Sequence, residues 1–277
     1  MAHEKVMARE VIYRHAGTVR LTHWINVLCL LVLLMSGLQI FNAHPALYFG
    51  STSDFADPAV AMTYERDGPD GPIGVTDLFG TRFDTTGWLG GGYEADGEFQ
   101  RYGFPWSITL PGFRSLAKGR SWHFFFAWAF VINGLIYLGY TLLSGHLRRD
   151  LAPDRGQLKG IWQSIKDHAL FRFDHGEEAK RYNVLQKLSY LIVIFILLPL
   201  MLATGLTMSP GMDAAFPWLL DIFGGRQSAR TIHFISASLI VLFVLVHVFM
   251  VLVTGVWNNL RSMITGRFVI KTEEAEG

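Results

Sequence analysis

Two histidines, His233 and His247, stand fourteen residues apart in the last apolar stretch of the chain, between Arg230 and Trp257. On an α-helix that spacing returns to nearly the same face after a rise of roughly 21 Å. An ionisable ring inside an apolar span is costly and marks a place where it has a partner and a task. Two rings at opposite depths on one helix therefore ask for two partners on other helices. Candidates exist, because His23 and His123 open two further apolar stretches. Three of these four histidines follow an arginine at one offset: Arg20-Leu-Thr-His23, Arg120-Ser-Trp-His123 and Arg230-Thr-Ile-His233. Residues three apart share a helix face, so each arginine sits one turn from its histidine, toward water, where its forked donors suit a carboxylate.

The elements that must carry these residues are four apolar runs, about 22–42, 121–143, 188–208 and 232–256. Each is near the twenty residues needed to cross a bilayer, and none holds an Asp or Glu. A soluble helix of that length would show a charged face. The expected fold class is therefore all-α: a four-transmembrane-helix bundle forming one membrane domain over 1–277, with a long outer loop insertion, 45–118, between helices 1 and 2. Pro199 predicts a kink in the third span. The first run is too long for the apolar core of a signal peptide and has no cleavage pattern after it, so it is expected to stay in the mature chain.

The loops set the orientation. With the amino terminus inside, sixteen Lys and Arg lie on the inner side and eight outside, which places both termini in the cytoplasm. The basic residues form no nucleic-acid-like cluster. Cys29 is the single cysteine, so there is no disulfide, covalent-haem motif or thiolate cluster to form. The 45–118 segment has ten acidic residues and many glycines. It is too small for an independent core and reads as a partly ordered outer cap, with Phe104-Pro105-Trp106 and Leu110 to Phe113 at the lipid interface. Residues 157–166 read as an amphipathic segment on the inner leaflet.

Depth pairs the histidines: His123 with His233 near the outer face, and His23 with His247 near the inner. His44 and His146 fall outside this scheme and read as interfacial. Zinc would want four ligands, and a proton relay would want buried carboxylates. A planar haem needs one neutral imidazole from each of two facing helices, with small residues where it nears the backbone. Gly37, Gly134 and Gly205 are available for that approach, and the arginines for the propionates. Two other classes stay open: a transporter or ion conductor using intramembrane histidines, and a non-redox membrane anchor for a periplasmic partner.

Arg20-Leu-Thr-His23-Trp24, the histidine opening the second span and the fourth-span pair His233/His247 together resemble the membrane di-haem cytochrome b subunits of nickel-iron hydrogenases, formate dehydrogenases and thiosulfate reductases. Ser36-Gly37-Leu38 and Thr204-Gly205-Leu206 resemble that family's small-residue turns. The 45–118 insertion, with Trp122-His123-Phe-Phe-Phe and Ser144-Gly-His146-Leu-Arg-Arg, resembles cytochromes serving periplasmic molybdopterin oxidoreductases. The resemblance implies two b haems with bis-histidine iron, in a bacterial inner membrane, carrying electrons between quinone and an outer redox enzyme, a molybdopterin oxidoreductase in preference to a hydrogenase. Quinone is expected beside the inner haem, near His146, Arg148 or His168. Each ligating imidazole is expected to donate its other nitrogen to a carbonyl or hydroxyl.

Overall fold

The computed structural model describes residues 7–68, 71–170 and 183–273. It begins with strand β1 (Met7–Tyr13) and helix α1 (Gly17–Phe41), followed by β2 (Ala46–Leu47), β3 (Val60–Gly68), β4 (Gly71–Leu78), β5 (Thr81–Asp84), β6 (Gly91–Tyr93) and β7 (Phe99–Arg101). Helix α2 (Leu116–Leu143) leads to α3 (Arg155–Lys159), α4 (Ile161–Ala169), α5 (Val184–Ile192) and α6 (Leu198–Thr207). Two short helices, α7 (Pro210–Ala215) and α8 (Trp218–Ile222), precede α9 (Arg226–Val253), α10 (Val256–Thr265) and strand β8 (Arg267–Glu273).

Four helices are long and apolar enough to cross a membrane: Gly17–Phe41, Leu116–Leu143, Val184–Thr207 and Arg226–Val253. Their burial is inverted relative to a soluble bundle. Leu31, Phe125, Trp128, Leu135 and Leu245 are exposed, whereas Thr22, Ser36, Thr141, Thr204 and Ser236 are buried. Hydrocarbon solvates the large apolar faces, so small residues are left to bring the helices together. Each helix starts several residues before its apolar run because polar first turns continue the same helix. The third span opens on a capping box, in which Asn183 accepts from the Leu185 amide and Gln186 accepts from the Asn183 amide. It then widens into a π turn, Val193–Leu197, where the Leu198 amide reaches back to the Val193 carbonyl. Pro199 follows directly and supplies no amide of its own, the setting in which such local widening occurs.

The chain divides into two compact units, one of Met1–Ile25, Asn133–Leu198 and Leu239–Gly277, the other of Asn26–Ile132 and Pro199–Ser238. The first holds an antiparallel ribbon that pairs β1 with β8 from Met7↔Glu273 to Tyr13↔Arg267. Asn258 of α10 fixes this ribbon by exchanging hydrogen bonds with the Val269 backbone at 2.8 and 3.0 Å.

The second unit corrects the expected all-α architecture. Residues 46–84 form a four-stranded antiparallel meander, β2-β3-β4-β5, with β6 and β7 as a separate pair. Leu47 and Met62 pack with Phe41 of α1, and Val60, Leu89, Phe104 and Phe234 surround them. The segment has too few apolar residues for a core of its own and completes one with Phe41 and Phe234 from two spans. Phe104, expected at the lipid interface, is part of that core. At the β4–β5 turn, Phe79 has φ 49° and Gly80 φ 80°, as a two-residue hairpin turn of the favoured hand requires. A non-glycine residue there costs roughly 1–2 kcal/mol.

Candidate cofactor site

His123 of α2 and His233 of α9 lie in the second unit, and a neighbouring span holds each in the same way. His123 Nδ1 is 3.1 Å from Ser36 Oγ, and His233 Nδ1 is 3.0 Å from Thr204 Oγ1. Each hydroxyl has one proton, and in each it goes to the carbonyl four residues back: Ser36 to Val32 at 2.6 Å, Thr204 to Leu200 at 2.7 Å. The oxygen is then the acceptor and the imidazole Nδ1–H the donor. That assigns one tautomer to both rings and leaves each Nε2 with a free lone pair, the form a metal takes.

The next residue in each span is glycine, for a steric reason. A Cβ on Gly37 would stand 3.3 Å from His123 Cε1, and one on Gly205 would stand 3.4 Å from His233 Cε1. The two glycines bring the ring itself against the helix backbone, a nearer neighbour than the macrocycle proposed for them from sequence. A Cβ on Gly134 would meet nothing within 4 Å.

His23 of α1 and His247 of α9 lie in the first unit, with ring centroids 6.4 Å apart and planes at 62°. Aromatic rings hold this pair: Trp24 lies edge-on to His23 at 5.4 Å, Phe243 stacks on His247 at 6.0 Å, and Tyr190 meets His247 edge-on at 6.5 Å. Among the described residues neither ring has a hydrogen-bond partner. The expected carbonyl or hydroxyl acceptor is thus present for His123 and His233 but not for these two.

The family model for prokaryotic cytochrome b561 matches residues 14–266. The chain belongs to the prokaryotic cytochrome b561 family. It is also similar to the putative protein-methionine-sulfoxide reductase subunit YedZ1 of Azospira oryzae, 28% identical over 260 residues that cover 94% of this chain and 100% of that protein. No solved structure matches. Membership makes the chain a haem-binding, multi-pass membrane cytochrome of electron transfer.

In this cytochrome the three repeated arginines have different surroundings. Arg230 donates to the His44 carbonyl and lies over the Phe41 ring. Arg20 donates to the Ile264 carbonyl, while its Nε is buried with no hydrogen-bond partner among the described residues. Arg120 is exposed, 5.8 Å from the Phe124 ring. Two of the three are therefore anchored to main chain, with donors left for an anionic group. His44 Nε2 lies 3.1 Å from Tyr48 Oη, and burial, followed by the Arg230 charge, holds the His44 pKa below its usual value. His146 Nδ1 is 2.7 Å from Asp150 Oδ2. Arg148 is exposed; the His168 side chain lies outside the described residues. In the sequence Ser36 and Thr204 read only as part of small-residue turns. Their role as imidazole acceptors is visible in the repeated hydroxyl-Gly-Leu order once each is set against a histidine.

Proposed function

We propose that the chain is a di-haem b-type cytochrome carrying electrons across the membrane between the quinone pool and a redox partner on the outer face. His123/His233 hold one haem and His23/His247 the other. The observation that carries this reading is the shared anchoring of His123 and His233, each with Nδ1 against a hydroxyl of the preceding span at 3.1 and 3.0 Å, which leaves both Nε2 nitrogens for a ligand. The 6.4 Å gap between His23 and His247 supports a second site of the same kind. Each pair offers two nitrogens, the number a planar macrocycle leaves open on its metal. When bound, the haems supply one-electron redox chemistry. The protein's part is to orient the rings, exclude water and place guanidinium donors within reach of the propionates.

The name of the Azospira relative favours a protein-methionine-sulfoxide reductase as the partner; the sequence resemblance adds that it is a molybdopterin enzyme. We place it in the periplasm of a bacterium, on the side of residues 46–101, and both termini in the cytoplasm. Pairing of β1 with β8 supports a shared side for the two ends, since four crossings return the chain to its starting side, and the excess of Lys and Arg in the inner loops favours the cytoplasm for that side. The test is the dithionite-reduced minus oxidised spectrum of the detergent-purified protein with a haem assay. The expected result is a b-type Soret shift and two haems per chain. A single haem per chain, or none, would overturn the pairing.

A further inference from the structure

Residues directly opposite in an antiparallel sheet share a face, so the register of the meander sorts its side chains into two layers. One layer contains the rows Leu47–Val60–Leu78–Thr81 and Met62–Thr76–Phe83. The other contains the row Ala46–Ala61–Asp77–Arg82. The first layer is the one that rests on Phe41, the last residue of α1, and on Phe234 of α9. Along its rows exposure rises away from that contact: Leu47 2% to Leu78 45%, and Met62 8% to Phe83 50%. The opposite layer is mixed: Arg82 is bonded to Glu65 at 3.0 Å and to Asp77 at 3.4 Å, while Val75 in its row Thr63–Val75–Asp84 is buried. A sheet that seats one face on the end of a membrane span stands beside lipid at that span. The apolar rows run past the helices toward β5, an open edge with all four residues exposed.

We infer that the meander lies flat on the bilayer surface, with Leu78 and Phe83 seated at the boundary between lipid headgroups and acyl chains. The 45–118 segment has ten acidic residues against Arg66, Arg82, Arg101, Arg114 and Lys118. Anionic headgroups would therefore repel it, and the contact is made by apolar burial, as in interfacial helices. An exposed aromatic at the adjoining turn, Phe79, fits a hairpin that ends at this boundary.

The test is site-directed spin labelling of the full chain in phosphatidylcholine vesicles. Cys29→Ala removes the native thiol, and Leu78→Cys, Phe83→Cys and Arg82→Cys carry nitroxides, with the haem spectrum as the check on folding. Power saturation should show labels at 78 and 83 colliding more with oxygen than with a water-soluble nickel chelate, and the label at 82 the reverse. Adding phosphatidylglycerol should not draw them deeper. Should Phe83→Cys disturb the fold, Thr81→Cys reports on the same layer. Equal nickel access at 81, 83 and 82 would overturn the inference. So would shielding of 78 and 83 from both reagents, which would mean that a protein partner or a second copy covers the face.

Discussion

If each histidine pair holds a haem, as proposed, the two pairs face the same chemical demand and meet it by different means. Around His123 and His233 a hydroxyl accepts the Nδ1 proton and a glycine lets the ring lie against the helix, and the device appears twice, on the span before each histidine's own. Around His23 and His247 aromatic rings do the holding, and among the described residues no hydroxyl is engaged. Hydrogen bonding to the far nitrogen raises a ligand's basicity, so the first pair is set to stabilise the more positive metal state. Packing fixes orientation without that electronic effect. The difference predicts two haems of unequal potential, with the His123/His233 haem the lower before other influences.

Removing a ligand should have the largest effect. His233→Ala should abolish one haem and His247→Ala the other, each halving haem per chain; if either variant lost both, the pairs would not be independent. Next in size is the hydroxyl. Thr204→Val keeps the shape but removes the hydroxyl acceptor and leaves the His233 N–H the Met201 carbonyl alone, and loss of such a supporting group typically weakens metal binding about 10–100-fold. Haem retention and midpoint potential should change at the His123/His233 pair alone, and Thr204→Ser should restore both. The smallest effect concerns His15, in the unit of the other pair, where burial, then the Arg14 charge, lowers its pKa to about 4. Unfolded, it titrates near 6.5, so the stability it contributes is complete above that pH and is lost as pH falls from about 6.5 toward 4. His15→Gln should flatten the acid limb of a thermal-denaturation pH series over that window. Haem release from the His23/His247 pair should follow the same limb in the parent protein.

The spans were legible because a membrane helix is constrained throughout its length, and length and absence of charge suffice to find it. Their ends were not, since Arg226 to Thr231 is polar yet helical. The four histidines stand out in the sequence through cost, since a buried ring needs a reason; their role as ligands belongs to the proposed function. The strands of residues 46–101 were missed although Gly68-Pro69-Asp70-Gly71 and Phe79-Gly80 are turn signals between β-prone runs. Their core depends on Phe41 and Phe234, remote in sequence, and no local reading reveals a core borrowed from two spans. The packing that positions Arg20 and Arg230 on carbonyls of Ile264 and His44 was hidden for the same reason.

The β1–β8 ribbon has a bearing on biogenesis. Its register joins residue 7 to residue 273, so β1 is made before its partner and waits for it through synthesis of all four spans. Until then it is an unpaired edge, open to other chains. The ribbon is thus a latch that closes only after the spans are made, and a chain cut short before Arg267 would be inserted in the membrane yet remain unlatched.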